Sequence, residues 1–297
     1  MTALNQQPTI HRGIVSAGLL SILSLSTPAN AATTVYNAAG ANAVAIQGTV
    51  DSFRADLGAL NPNVVGSFGS GRREINWDGV PDSLAAPNNL PGNFFNVNSP
   101  RGVVFSTPGT GFQVSANAGV APVEFGNIDP SYPNLFATFS SQRLFTALGS
   151  TITDVRFFIP GSGSTIAAVT RGFGAVFSDV DLANISSIEY FDSANVSLGN
   201  HFVQNVSGNQ TFSFLGVTFD APVVSRVRIT SGNQILAFGN TATDTVVMDD
   251  FIYGEPVQAR ASVPDSGATL ALLGIALAGL GLAARKPGQP SNFCKAK

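Results

Sequence analysis

Two pairs of carboxylates are the residues of this chain most able to do chemistry. Phe177-Ser178-Asp179-Val180-Asp181 places acids on alternate residues, and Met248-Asp249-Asp250-Phe251 places two side by side. Alternate residues of a strand point the same way, and carboxylates are hard oxygen donors. Asp179, Asp181, Asp249 and Asp250 are therefore candidate calcium ligands at a sheet edge, where calcium would be structural or would orient a glycan. Neither segment has the spacing of an EF-hand loop. Each has a plainer alternative: Asp179 and Asp181 capping a turn, and Asp249 or Asp250 paired with Arg171, Arg226 or Arg228. Together with Glu189, the same acids are the pool for a glycosidase, which needs two carboxyl groups roughly 5–10 Å apart.

A second cluster surrounds the only tryptophan, in Gly71-Arg72-Arg73-Glu74-Ile75-Asn76-Trp77-Asp78-Gly79. An aromatic face flanked by Arg72, Arg73 and Asp78 suits both the apolar and the hydroxyl side of a sugar ring. The alternative is a core anchor, with Arg72 or Arg73 paired to Glu74 or Asp78. Nucleophilic and zinc chemistry are limited by supply. His201 is the one histidine after residue 31, and the single cysteine, Cys294, stands near the C-terminus. A zinc site with several His or Cys ligands is excluded, and His201, in Gly199-Asn200-His201-Phe202, reads as a polar residue at a turn into a strand. No catalytic residue is assigned.

The elements that must position these groups are mostly strands. Val50, Phe53, Leu57 and Leu60 recur at three or four residues, predicting one amphipathic helix over Thr49–Leu60, capped by Thr49 or Asp51, with Gly58 near its end. From Gly102 onward, Val-, Ile-, Phe- and Thr-rich segments alternate with Gly, Pro, Asn and Ser clusters. They predict strands at Gly102–Ser106, Gly111–Ser115, Arg143–Ala147, Thr153–Ile159, Phe173–Ser178, Ser187–Asp192, Phe202–Asn205, Gln210–Phe219, Ser225–Thr230 and Thr245–Tyr253. Their spacing of roughly ten residues is that of an antiparallel sandwich. The expected fold is mainly β, a jelly-roll-like β-sandwich with phenylalanine filling the space between sheets. Asn61–Pro100 lacks periodicity and is expected to wrap the sandwich as an ordered loop.

The two ends carry an address. His11-Arg12 precede an apolar run from Gly13 to Leu25, and Ala29-Asn30-Ala31 offers small residues to signal peptidase, so 1–31 reads as a signal peptide cut after Ala31. At the other end Val263-Pro264-Asp265-Ser266-Gly267 runs into 17 uncharged residues, Ala268 to Ala284, closed by Arg285-Lys286. As a helix, that segment would be roughly 25 Å long, enough to span a thin bilayer. Arg285, Lys286, Lys295 and Lys297 all follow it and no lysine precedes it, which sets residues 287–297 in the cytoplasm and the body outside.

This order of motif, apolar segment and basic stop resembles the PEP-CTERM sorting tail of bacterial envelope proteins, in its Val-Pro-Asp-Ser-Gly variant. The resemblance implies recognition at Val263, Pro264, Asp265, Ser266 and Gly267 by a membrane-embedded sortase-like enzyme, with Arg285 and Lys286 as the stop. It implies transient inner-membrane anchoring, then release to or retention on the cell surface. A glycolipid-anchor signal, which sequons at Asn184, Asn195, Asn205 and Asn209 would accompany, ends in its hydrophobic segment and does not fit the extension Pro287–Lys297. Within the body, Phe53, the Gly71–Gly79 block and Arg171-Gly172-Phe173-Gly174-Ala175-Val176-Phe177 resemble a recurrent domain of secreted bacterial proteins that implies no reaction.

The expected organisation is a body over 32–256, a linker at 257–262, and the sorting region at 263–286. From Ala32 to Ser262, ten arginines and no lysine stand against thirteen aspartates and four glutamates, a net charge of −7. That balance is a poor match for phosphate backbones, and no nucleic-acid partner is expected. The expected function is a non-enzymatic envelope or extracellular-matrix protein, adhesive or associated with exopolysaccharide. A calcium-dependent carbohydrate-binding module is the runner-up, and a glycoside hydrolase comes third.

Overall fold

A computed structural model describes residues 32–241 and 244–259. The expected signal peptide over 1–31, the sorting motif, the apolar segment and the basic tail lie outside the described residues. Among the described residues no helix is long and apolar enough to cross a membrane. The body is mainly β. Its strands are β1 (Thr33–Gly40), β2 (Arg72–Ile75), β3 (Val103–Ser106), β4 (Gly111–Val114), β5 (Phe145–Leu148), β6 (Ile152–Phe157), β7 (Ala168–Val169), β8 (Gly172–Ser178), β9 (Ser187–Phe191), β10 (Ser197–Phe202), β11 (Phe212–Phe219), β12 (Arg226–Thr230), β13 (Val247–Gly254) and β14 (Val257–Gln258). Its α-helices are α1 (Ala43–Leu57) and the single turn α2 (Phe94–Val97).

Two antiparallel sheets carry the fold. One runs β1-β11-β8-β13-β5-β4, with β2 also paired to β13, and the other runs β10-β9-β12-β6-β3. From β5 onward the chain repeatedly changes sheet, with β5, β8, β11 and β13 in the first and β6, β9, β10 and β12 in the second. Alternation explains the core between them. In β8, Phe173, Ala175 and Phe177 face inward with Leu215 and Val217 of β11, meeting Val155, Phe157, Ile188, Tyr190 and Val227 of the other sheet. Phenylalanine supplies much of that bulk, as expected.

The outer face of the larger sheet is closed by α1. Ile46, Val50, Phe53 and Leu57 form its buried stripe, packed on Val176, Phe212, Phe214 and Ile252. Burying each such side chain contributes about 1.5–3 kcal/mol. Phe53 settles over Gly174 and Gly216, which are directly opposed between β8 and β11. A Cβ at Gly216 would lie 2.8 Å from that ring, so the glycines make room for the helix. The helix begins at Ala43 rather than Thr49, because Asn42 is its cap and accepts the Ala45 N–H at 3.2 Å. Gly58 ends it at φ 98, its N–H reaching the Arg54 and Ala55 carbonyls, and leaves Leu60 outside and exposed.

Other departures share one cause: pairing made strands where side chains carried no alternating signal. The edge strand β1 is polar and exposed over its first half yet pairs with β11 from Thr33 to Gly40. The other edge strand, β10, occupies Ser197–Phe202 instead of Phe202–Asn205, held by β9 across an irregularity at Ser197/Gly199. Asn61–Pro100 is not wholly a loop, since β2 and α2 fall inside it and β2 pairs with β13.

Candidate functional site

The tryptophan platform is corrected first. Trp77 is 1% exposed. Its ring stacks on Phe145 at 4.1 Å and meets Phe95 and Phe251 edge-on, and its indole N–H donates to the Asp249 carbonyl at 2.7 Å. It is a core anchor, closed to a sugar. Its flanking groups are also engaged. Alternation along β2 turns Arg73 inward, where it is 0% exposed and binds both oxygens of Glu255 at 2.8 and 3.0 Å. It also donates to the carbonyls of Pro100 and Gly66, which ties both ends of the 61–100 segment to the sheet. Arg72 faces the other way and pairs with Glu74 at 2.6 Å. Asp78 accepts the Gln142 N–H at 2.6 Å.

The Asp249-Asp250 pair sits in a bulge of β13. Met248 is opposite Phe177 and Phe251 opposite Ala175, so the β13 side holds one residue more than the β8 side. At the same point β13 changes neighbour, from β5 at Met248 to β2 from Phe251 onward. A regular strand would send adjacent side chains to opposite faces, whereas here both carboxyl groups reach Ser140. Asp249 accepts the Phe139 and Ser140 N–H groups at 2.6 and 3.2 Å, and Asp250 accepts from Arg54 at 3.0 Å. Burial first, and then the charge of Asp250, pushes the Asp249 carboxyl well above the usual range. Burial also raises Asp250, against the pull of Ser140 and Arg54. This is a buried acid pair tying the bulge to the 139–140 turn. Neither of its carboxylates pairs with Arg171, Arg226 or Arg228: Arg171 binds Asp56, and Arg226 and Arg228 both bind Asp154.

The Asp179 segment is different. Asp179 follows the last residue of β8 in a left-handed conformation, φ 72, and is 4% exposed with Oδ1 unpartnered. Asp181 accepts the Gly208 N–H at 2.9 Å. Its own N–H donates at 2.7 Å to Asp244, which is 1% exposed and whose second oxygen is unpartnered. The three acids line a cavity of about 210 Å³ with Leu135, Leu182, Asn209 and Thr241. Among the described residues no arginine or histidine forms an ion pair with any of them. Burial, followed by the charges of Asp181 and Asp244, pushes the Asp179 carboxyl up to about 7. Among the described residues no three acidic, His or Cys side chains stand ready-made as a metal cluster, so a cation here would draw on fewer carboxylates plus other oxygens.

The sequence candidates thus separate. Asp179 and Asp181 share a cavity with Asp244, while Asp249 and Asp250 are spent on Ser140, Arg54 and backbone N–H groups. Glu189 lies on the other sheet, in β9, accepting from Ser197. His201 lies within β10 against the Tyr190 ring, and burial lowers its pKa. Sequence reasoning does not single out Asp244, Glu255 or Arg54. Asp244 stands in Thr241-Ala242-Thr243-Asp244, with no periodicity or paired acid to mark it.

Comparison with known proteins bears on the tail. Residues 262–286 match the VPDSG-CTERM motif, so the chain carries a sorting tail of the PEP-CTERM type. A search of curated proteins returns no match. Among solved structures, the enzymatically active domain of tailspike protein 4 of bacteriophage CBA120 is 14% identical over 59% of this chain and 22% of that one. Its TM-score of 0.25 is too low to carry an inference about fold or activity.

Proposed function

We propose that the chain is an exported, surface-sorted, non-enzymatic envelope or matrix protein whose jelly-roll-like body acts by adhesion or by association with exopolysaccharide. The observation that carries this reading is the VPDSG-CTERM motif, which begins four residues after β14 ends the described body. Signal peptidase would cut after Ala31, one residue before the body opens with β1 at Thr33. The apolar segment would then hold the chain in the inner membrane until a sortase-like enzyme acts near Val263–Gly267. The interleaving of β5-β13-β8-β11 with β6-β12-β9-β10 supports the jelly-roll description. A hydrolase finds less support, because the adjacent acids Asp249 and Asp250 are buried beneath Ser140 and Arg54.

The test follows the mature chain through cell fractions. In the native host the body is expected at the surface or in the medium at a mass lacking the tail, and Pro264→Ala is expected to leave a larger, membrane-retained form. Identical mass and location for both chains would overturn the reading.

A carbohydrate-binding role is the second reading. Its support lies at Phe238, 81% exposed and three residues before Thr241 of the acidic cavity. An exposed aromatic ring suits the apolar face of a sugar. Retardation in polysaccharide gels that disappears in Phe238→Ala would favour it.

A further inference from the structure

We propose that Asp179 and Asp244 ligate one hard divalent cation, calcium, in the cavity between the end of β8 and the segment leading into β13. A carboxylate oxygen buried without a donor gives up its hydration and receives nothing in return. Two such oxygens, one on Asp179 and one on Asp244, belong to residues that line the same cavity of about 210 Å³. The rest of each environment is fixed. Asp244 Oδ1 is held by the N–H groups of Asp181 and Leu182 at 2.7 and 3.4 Å, which leaves Oδ2 as its free ligand atom. Asp181 is fastened by the Gly208 N–H and through its carbonyl by the Asn205 side chain, adding a third negative charge beside the other two.

Backbone conformation adds a second line. Asp179 adopts φ 72, a region L-residues other than Asn and Asp seldom visit, and its N–H is secured by the Thr211 carbonyl at 3.1 Å. That geometry leaves the extended course of β8 at a residue that lines the cavity. All the donors present are oxygens: two carboxylates directly, with Asn209, Thr241 and water available to complete the shell, and Asp181 acting as a neighbouring charge. An all-oxygen, irregular, partly hydrated shell suits calcium better than magnesium, which demands an ideal octahedron. The pairing joins residues 65 positions apart, so the cation would pin the segment entering β13 to the end of β8.

The inference stands apart from tail processing, since it is read on the purified chain. The full-length protein, stripped with chelator and desalted, is titrated calorimetrically with calcium chloride and melted with 5 mM calcium or magnesium chloride. The expected result is one calcium site, with a dissociation constant of the order of 10⁻⁴–10⁻³ M as in extracellular modules, and a rise in Tm of several degrees with calcium, smaller with magnesium. Asp179→Asn and Asp244→Asn are each expected to abolish the calcium response, while Asp249→Asn retains it. Absence of both heat and Tm shift in the unsubstituted protein would overturn the proposal, whatever the variants do. So would a calcium response that survives both substitutions.

Discussion

Trp77 donates its indole N–H to the backbone carbonyl of Asp249 at 2.7 Å, joining residues 172 positions apart. The bond closes the β13 bulge from one side while the Asp249 carboxyl closes it from the other through Phe139 and Ser140. A segment with little local periodicity is thereby anchored where the largest sheet changes partners.

That placement predicts the optical behaviour of the chain's only tryptophan. Emission in the native state is expected to be blue-shifted and protected from iodide, both features vanishing on unfolding. Trp77→Phe keeps most of the packing but strands the carbonyl, at a cost of about 1–3 kcal/mol, whereas Trp77→Ala also leaves a cavity and costs about 3–5 kcal/mol. Chemical denaturation measures both. A Trp77→Phe cost near zero would contradict the hydrogen bond's role, and equal costs for the two variants would contradict the ring's packing role.

The Asp249-Asp250 pair predicts a pH dependence of defined sign. Burial raises both carboxyl groups above their unfolded values. Between the unfolded and folded values the native state therefore holds more protons than the unfolded chain, and this pair's contribution to stability falls as pH rises. Asp249→Asn keeps an acceptor for Phe139 and Ser140 but removes the titration. Relative to the unsubstituted protein, it is expected to gain stability steadily from pH 5 to pH 8, as read from urea midpoints. A constant difference across that range would refute the raised titration of Asp249.

The contact of Phe53 with Gly216 predicts non-additivity. A methyl at Gly216 would stand 2.8 Å from the Phe53 ring and 3.0 Å from Phe214, both buried. Gly216→Ala is expected to cost about 1–3 kcal/mol through overpacking. In a Phe53→Leu background, where the ring is gone, the same substitution should cost less, and the double-mutant cycle reports the difference. Strict additivity would place the strain elsewhere.

By itself the sequence determined the sorting motif at 262–286, the mainly β class, and most central strands, because these rest on local signals. Ordered motifs need no partner, and apolar alternation such as Val227/Ile229 survives in any register that buries one face. The spacing of Val50, Phe53 and Leu57 likewise marked the buried face of α1, although its start depended on the Asn42 cap. Tertiary structure alone decided the rest. Edge strands β1 and β10 carry little apolar alternation and exist through backbone pairing with β11 and β9. Trp77 could have faced a ligand or the core, and only the stacking of Phe145 and the carbonyl freed at the bulge chose the core. The four acids were equivalent as letters. One extra residue in β13 turned Asp249 and Asp250 toward Ser140, and a turn 65 positions further along the chain brought Asp244 to Asp179, because long-range register, which no local pattern encodes, sets which charges share a cavity.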